Sequence, residues 1–185
     1  MPFQRTPGRL RFDAKAEPRP DRADERVIEL AAIRLLTGRE LSAGDIRRKL
    51  ATRGFDSAAL DAVIGRLAER GLLSDLRFVT SFIRQHSQRG HGPGRIRAEL
   101  RQRGVASEVI DEQLGAAEVD WDSLAAQVRA RKFRSQPSSP AERAKQARFL
   151  QYRGFTTEQI RAAMGKLSAS TIATDPADDD ADFDP

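Results

Sequence analysis

The 185-residue sequence contains no cysteine, only two histidines and few aromatic residues. The lack of thiols excludes disulfides, thiolate zinc sites and cysteine nucleophiles, and it is typical of a protein from a reducing cytoplasm. No apolar run approaches the roughly 18 residues that a membrane-spanning helix needs. The amino terminus is charged and rich in proline, without the apolar core of a signal peptide. We therefore expect a soluble cytoplasmic protein that has no membrane partner.

Charge is distributed unevenly along the chain. The formal net charge is +5, but residues 170–185 contribute −6 and no base, which leaves +11 on residues 1–169. Neither end shows helical or strand periodicity, and we predict that residues 1–25 and 169–185 are disordered. We interpret the acidic tail as a solubilising segment. The alternative is that it folds back onto the basic body as a phosphate mimic and weakens DNA binding.

An internal repeat of 50 residues organises the rest of the chain. The dipeptide Arg-Gly recurs at 53–54, 103–104 and 153–154, each time with a leucine three residues before it and an apolar residue directly after it. Glycine at this position takes the left-handed conformation that ends a helix. Apolar residues spaced three and four apart flank the dipeptide on both sides. Each copy is therefore predicted to be a helix, a glycine turn and a second helix.

A further amphipathic helix precedes each pair, so that three triplets of helices are predicted and no strand. The predicted helices cover 27–37, 42–53, 57–70, 75–89, 93–103, 107–118, 121–133, 141–152 and 156–167. The fold class is all-α, an elongated tandem array of three three-helix repeats that resemble helix-turn-helix units, at 26–73, 74–119 and 120–168. The linker at 134–140 is rich in proline and serine, and it is the predicted hinge.

The sequence lacks the residue groups that catalysis requires. Acidic residues stand singly on the predicted helices, whereas a magnesium-dependent nuclease needs clustered carboxylates. His86 and His91 flank a glycine-rich turn without a cysteine and without a well-placed carboxylate. We interpret His86 as a packing residue rather than a metal ligand. The sequence therefore predicts no enzymatic activity, no cofactor and no metal site.

Arginine is the most informative residue type, since it supplies 27 of the 32 basic residues. Its guanidinium forms bidentate bonds to phosphate and carboxylate alike, although codon bias in a GC-rich genome is an alternative source of part of the excess. We interpret the arginines of the three Arg-Gly dipeptides as favourable charges at helix C-termini. Mid-helix arginines are instead predicted to contact nucleic acid or a protein partner. This set is Arg47, Arg97 and Arg101, with help from Arg48, Arg84, Arg89, Arg95 and Arg148.

Several segments resemble the RecX family of regulatory proteins. Residues 71–78 (GLLSDLRF) are similar to the family's GLLDDxRFA segment, and residues 89–100 (RGHGPGRIRAEL) are similar to its RxGxGPxxIxxEL stretch. Shorter matches follow in order, so that the resemblance covers residues 26–167. The sequence departs from the pattern at Ser74, His91 and Tyr152, where an acid, an aromatic residue and a base are usual.

The resemblance implies a non-enzymatic modulator of the RecA recombinase in DNA repair and the SOS response. It implies binding to the RecA–single-stranded DNA filament along its groove, usually with inhibition of its ATPase, strand-exchange and coprotease activities. The resemblance also implies weak direct binding to single-stranded and double-stranded DNA, and we expect a monomer. Two alternatives remain at this point. One is a stand-alone, sequence-tolerant DNA-binding helical module, and the other is a helical scaffold for a different acidic partner.

Overall fold

The computed structural model describes residues 23–165, and within this range the chain forms nine α-helices and no strand. They are α1 Glu25–Leu36, α2 Ala43–Ala51, α3 Ser57–Glu69, α4 Asp75–Gln88, α5 Pro93–Gln102, α6 Ser107–Ala116, α7 Trp121–Lys132, α8 Pro140–Tyr152 and α9 Thr157–Met164. The predicted helix ends are confirmed within two residues, except at α9. That helix ends three residues early because Gly165 has a φ of 62°.

The predicted disordered arm of residues 1–25 extends too far, because its last residue belongs to the first helix. α1 begins at Glu25, two residues before the predicted start, because the carboxylate of Asp24 accepts a hydrogen bond from the amide of Arg26 and caps the helix. Residues 1–22 and 169–185 of the predicted disordered ends lie outside the described residues, as do residues 166–168 of the third predicted repeat.

Side-chain caps determine where most helices begin. Asp56 caps α3, and its carboxylate accepts a hydrogen bond of 3.0 Å from a backbone amide of the first turn. Thr156 and Gln159 form a reciprocal capping box at α9. α5 has no side-chain cap and begins instead with Pro93, whose fixed φ suits the first turn and which has no amide to leave unpaired.

The three Arg-Gly turns end the second helix of each triplet in the predicted way. Gly54, Gly104 and Gly154 have φ values of 84°, 79° and 88°, where only glycine avoids a steric cost. The amide of the following residue then donates back to the carbonyl of the repeated leucine, over 3.1–3.4 Å in the three copies. This closure directs the next apolar side chain onto the core, where Val105 and Phe155 are buried.

Each triplet of helices encloses a hydrophobic core of its own, and we call the triplets unit 1 (α1–α3), unit 2 (α4–α6) and unit 3 (α7–α9). The first helix of each unit packs on the third, and the second contacts both. The repeated leucines Leu50, Leu100 and Leu150 have no exposed surface. Burying one such side chain stabilises a fold by about 1.5–3 kcal/mol. The all-α array of three tandem units is therefore confirmed.

Units 1 and 2 meet where the Arg103–Gly104 turn lies against the start of α2, a contact that we call the first joint. The Ser42 hydroxyl donates to the carbonyl of Arg103 over 2.7 Å. Gly44 faces the same carbonyl so closely that a Cβ at this position would lie 2.3 Å from the oxygen. Glycine at position 44 is therefore required by the approach of unit 2 and not by the helix.

Units 2 and 3 meet in the equivalent way, at the second joint. The turn at 153–154 lies against the start of α5, where the Gly92 amide donates to the carbonyl of Arg153 over 2.8 Å. The Gly94 amide donates to the carbonyl of Gly154 over 2.9 Å. A Cβ on Gly92 would lie 2.5 Å from Gly154. The same turn therefore joins successive units twice, by backbone contacts that side chains at these glycines would prevent.

The linker predicted to be a hinge is held in place on both sides. The carbonyl of Ser135 accepts hydrogen bonds from the Arg129 guanidinium over 3.0 Å and from the Gln146 amide over 3.4 Å. Pro137 is buried, and Pro140 already belongs to α8. These contacts tie the linker to α7 and α8, and they argue against free rotation at this point.

Candidate basic interface

The eight arginines predicted to contact nucleic acid or a partner fall into two groups in the structure. Four are held by acidic side chains of the same chain: Arg47, Arg48, Arg95 and Arg97. For the other four, the described residues provide no ion pair and no hydrogen bond to the side chain: Arg84, Arg89, Arg101 and Arg148. All members of the second group are exposed. These four arginines are therefore the first candidates for contact with nucleic acid or a partner.

Arg47 and Arg97 occupy equivalent positions of the repeat and form equivalent ion pairs. Arg47 of α2 pairs with Asp61 of α3, and Arg97 of α5 pairs with Asp111 of α6 over 2.7 Å. Acid and base are 14 residues apart in both units, so the pair belongs to the 50-residue repeat. Unit 3 has alanine and Arg161 at these positions and cannot form it. The pairs brace the second helix against the third, a role that sequence analysis missed.

Arg48 is part of the first joint, together with the arginine of the second Arg-Gly turn. Asp45 is 1% exposed and accepts from both Arg48 and Arg103, the latter over 2.9 Å. Arg48 also donates to the carbonyl of Gln102 in unit 2 over 3.1 Å. The Arg103 guanidinium lies 5.2 Å from the centre of the Phe82 ring. A buried carboxylate is costly unless it is paired, and two arginines from successive units pair this one.

The second joint uses its arginine differently, because Arg95 stands where unit 1 has Asp45. Arg153 cannot form an ion pair there. Its guanidinium donates instead to the carbonyl of Arg89 over 3.3 Å and lies 5.3 Å from the centre of the Phe149 ring. Arg103 and Arg153 therefore connect units, besides ending their helices, and the interpretation of both as helix-terminal charges alone was incomplete.

Arg95 belongs to a cluster that the sequence did not predict. Its Nε donates to Oε1 of Glu99 over 2.8 Å, and Oε2 of the same carboxylate lies 3.3 Å from Nδ1 of His86. His86 is 9% exposed and stacks on the Phe82 ring, with ring centres 3.8 Å apart. Its packing role is confirmed. The expectation that it has no well-placed carboxylate was wrong, since the turn at 90–92 brings the start of α5 back to the end of α4.

The pKa values of this cluster follow from burial and neighbouring charge. Burial has the largest effect on the pKa of His86 and lowers it; the Glu99 carboxylate opposes this, and the nearby guanidinium groups lower the pKa further. Burial together with Arg95 lowers the pKa of His91. For Glu99, burial alone would raise the pKa of the carboxyl, but the hydrogen bond from Arg95 and the nearby His86 lower it. All three effects favour neutral imidazoles beside an ionised carboxylate at neutral pH.

The unpaired arginines have further cationic neighbours outside unit 2. Lys145 lies three residues before Arg148 on the same helix, so both side chains lie on one face of α8. The last turn of α7 carries Arg131 and Lys132, both exposed. Among the described residues, unit 3 therefore presents cations without an acidic partner, whereas four arginines of unit 2 are bonded to acids: Arg77, Arg95, Arg97 and Arg103.

The fold and these contacts define a class of protein, a tandem array of three-helix units joined by Arg-Gly turns and exposing arginine. Comparison with known proteins shows which family of such arrays the chain belongs to. Family models described as the first, second and third three-helix domains of RecX match residues 30–67, 74–114 and 118–164 in that order. The chain belongs to the RecX family, which is a family of regulatory proteins and not of enzymes.

Relatives of known name are similar over most of their length. A regulatory protein RecX of Halorhodospira halophila is 51% identical over 134 residues, which cover 72% of this chain and 83% of the relative. The RecX of Pseudomonas entomophila is 46% identical, with 72% and 86% covered. A crystal structure of RecX from Lactobacillus salivarius has a TM-score of 0.64 at 19% identity, covering 74% of this chain and 92% of that one, and supports the fold alone. Within residues 23–165, no helix is long and apolar enough to cross a membrane.

Proposed function

We propose that this protein binds the RecA–single-stranded DNA filament in the cytoplasm and inhibits its ATPase, strand-exchange and coprotease activities. The observation that carries the proposal is the ordered match of all three units to the RecX domains, together with 40–51% identity to proteins named regulatory protein RecX. The protein acts by occupying a surface, since its exposed arginines suit phosphates and acidic side chains. This function needs no catalytic group and no cofactor.

The two joints support binding to a partner that is itself repetitive. Backbone hydrogen bonds at 92–94 and a hydroxyl bond at Ser42 hold each unit against the next, and the linker before α8 is tied at Ser135. Successive units therefore keep a set orientation. Arginines on different units are presented at set separations, as binding to successive protomers of a helical filament requires. Preorganised cations lose less conformational entropy on binding than cations on a mobile chain.

We assign the main contacts to Arg84, Arg89, Arg101 and Arg148. A guanidinium that already pairs with a carboxylate must give up that partner before it binds a new one, and these four have none among the described residues. Arg47 and Arg97 contribute less, because each must leave its aspartate. Arg48 and Arg95 act at the first joint and in the Glu99 cluster, so that their replacement would disturb the array as well as its surface.

The test is the ATPase of RecA on single-stranded DNA, titrated with this protein. We expect inhibition by the wild type and a clear loss of potency for Arg101→Ala combined with Arg84→Ala. Arg66→Ala is the matched control, because Arg66 is a partly exposed arginine paired with Glu25 over 2.8 Å outside the proposed contact set. An unchanged ATPase at an excess of wild-type protein would refute the function. Equal effects of the double variant and of the control would refute the residue assignment alone.

A stand-alone DNA-binding module is the second candidate, and one observation favours it. A shallow groove at the second joint is lined by Arg95 and by Tyr152, whose side chain is 71% exposed. A cation beside an exposed aromatic ring is typical of surfaces that bind single strands, where each base stacked on such a ring contributes about 1–3 kcal/mol. If this function holds, Tyr152→Leu weakens binding to naked single-stranded DNA.

Salt dependence separates the two candidates. The DNA-binding module predicts saturable binding to single-stranded DNA without RecA, with a logarithmic salt slope of about −0.7 for each phosphate neutralised. Binding to assembled filaments without measurable binding to naked DNA at the same salt would exclude the module as the main function. A nuclease-treated pull-down that retains a different acidic protein would favour the scaffold instead.

We also propose that the protein is a monomer, because the two ends of the array do not fit each other. The free Arg53–Gly54 turn of unit 1 is equivalent to the turns that form the joints. The free start of α8 in unit 3 carries Ala144 where the joints have Gly44 and Gly94. A Cβ at the glycine positions lies 2.3 Å and 3.0 Å from a turn carbonyl. Light scattering with size exclusion tests this, and concentration-dependent growth of the particle would contradict it.

A further inference from the structure

Three ligand-type atoms converge where α4 turns back into α5. Nδ1 of His86 in the last turn of α4 lies 3.0 Å from Nδ1 of His91 in the loop, and 3.3 Å from Oε2 of Glu99 in α5. One possible ligand atom from each of the three residues lies within 4.8 Å of the other two. The two histidines are the only ones in the chain, and their Nδ1 atoms face each other.

We propose that His86, His91 and Glu99 bind a divalent transition-metal ion of the zinc type, with a fourth position open to water or an anion. Zinc binds histidine nitrogen and carboxylate oxygen at about 2.0–2.2 Å in a tetrahedron, in which neighbouring ligand atoms are roughly 3.3 Å apart. The separations of 3.0 Å and 3.3 Å are close to two edges of such a site. Two imidazoles and one carboxylate with an open position are a known catalytic ligand set for zinc, and imidazole disfavours magnesium and calcium.

Without a metal ion, one Nδ1 proton serves the contact between the two imidazoles and is shared with the carboxylate. With an ion bound, both histidines carry their proton on Nε2, and both Nδ1 lone pairs are used.

Arg95 both supports the site and limits its affinity. Its bond to Oε1 orients the carboxylate and leaves Oε2 facing the histidines, as a supporting partner of a metal ligand does. Its charge, together with the positive charges of Arg89, Arg103 and Arg153 nearby, repels a cation. We therefore expect binding weaker than in structural zinc proteins. Bound metal would link the end of α4 to the start of α5, next to the Gly92 contact of the second joint.

The test uses the full chain without a histidine tag. Co²⁺ absorption and Zn²⁺ calorimetry are measured in excess Mg²⁺, which occupies simple carboxylate clusters and leaves imidazole ligands free. We expect one ion per chain and the visible bands of four-coordinate Co²⁺. His91→Tyr and Glu99→Gln should each weaken binding by at least about 100-fold, more than the roughly 10–100-fold that follows loss of a group which only orients a ligand. Glu112→Gln, an exposed acid of α6, should leave binding unchanged.

The variant His91→Tyr removes one proposed ligand without unfolding the protein, so its effect on metal binding can be interpreted. His91 is only partly buried and lies in a loop, so His91→Tyr should fold with an unchanged circular dichroism spectrum. No binding of Zn²⁺ or Co²⁺ by the wild type at millimolar concentration would overturn the proposal. So would binding that His91→Tyr leaves intact, because the ion would then lie elsewhere on the chain.

Discussion

The substitution Gly44→Ala, which adds one methyl group, tests whether units 1 and 2 meet at the first joint in solution. Gly44 lies in the first turn of α2, and a Cβ on it would meet the Arg103 carbonyl oxygen at 2.3 Å and the Gly104 Cα at 2.9 Å. Both of these atoms are backbone, so no side-chain rotation relieves the overlap. Gly44→Ala therefore forces units 1 and 2 apart by about 1 Å if the Cβ is to reach an ordinary contact distance. The change removes no side chain and no charge.

The cost follows from the contacts that this separation breaks. The Ser42 hydroxyl bond to the Arg103 carbonyl, now 2.7 Å, becomes too long to count as a hydrogen bond, at a cost of about 0.5–1.5 kcal/mol. The Arg103 bond to the buried Asp45, now 2.9 Å, is weakened, and charged bonds contribute about 1.5–3 kcal/mol. Replacing glycine by alanine within a helix raises the unfolding free energy by roughly 0.5–1 kcal/mol, which offsets part of this loss. We expect a net loss of about 1–3 kcal/mol of unfolding free energy.

Two other helical glycines provide the matched control. Gly65 in α3 and Gly115 in α6 have no atom within 4 Å of an added Cβ. Alanine at either site should therefore raise the unfolding free energy by about 0.5–1 kcal/mol through helix propensity alone. The same glycine-to-alanine change thus has opposite signs at the joint and away from it. Urea denaturation followed by circular dichroism measures all three variants, and RecA ATPase inhibition reports whether the orientation of the units matters for function.

One result would refute the reasoning. If Gly44→Ala stabilises the protein as much as Gly65→Ala does, unit 2 does not lie against α2 in solution. The second joint offers an independent repetition, since a Cβ on Gly92 would lie 2.5 Å from the Gly154 carbonyl group. The φ of Gly92 is −81°, which any residue adopts, so a loss of stability in Gly92→Ala reports the contact and not backbone strain.

Three further outcomes are expected. Asp45→Ala should lower the unfolding free energy in urea by about 2–3 kcal/mol, because the buried carboxylate bonds two arginines, and a neutral effect would contradict its role in the joint. A double-mutant cycle of Arg97 and Asp111 should give a coupling of only about 0.2–1 kcal/mol, since the two side chains are 36% and 53% exposed, and a larger value would contradict this view. Hydrogen bonds from Ser123 lower the pKa of the Asp120 carboxyl below its ordinary value, so its stabilising effect is present above that ordinary pKa and is lost as the pH falls through the lowered one. Asp120→Asn should remove this part of the acid dependence in denaturation curves at pH 3 and pH 7.

Local structure was predictable because its causes are local. The helix at 57–69 follows from Asp56 as a cap and from apolar residues three and four apart, and its end follows from the residues of its own last turn. The three Arg-Gly turns follow from the need for a positive φ at the glycine. In each case the residues that cooperate lie within one or two turns of each other in the chain.

The roles of individual arginines were not predictable in the same way. Arg47 and Arg101 look alike in the sequence and were both predicted to be mid-helix. In the described part of the chain, Arg101 lies in the last turn of α5 without an acidic partner, whereas Arg47 pairs with an aspartate on the next helix. Which side chains meet across two helices depends on their crossing geometry, which periodicity does not specify. A signal was nevertheless present, because the basic column at 47 and 97 recurs in step with the acidic column at 61 and 111. Recurrence of opposite charges at one spacing could have indicated the pair.

By itself, the sequence determined the number of helices, their caps, the glycine turns and the 50-residue repeat, since these depend on neighbours within a few residues. Only the tertiary structure showed how the repeated residues join successive units. It brought Gly44 against a carbonyl 59 residues later in the chain, and it joined His86, His91 and Glu99 at one point. It also separated arginines that hold the array together from arginines that remain available to a partner. Such contacts depend on where folded helices come to lie in space, and neither composition nor local periodicity contains that information.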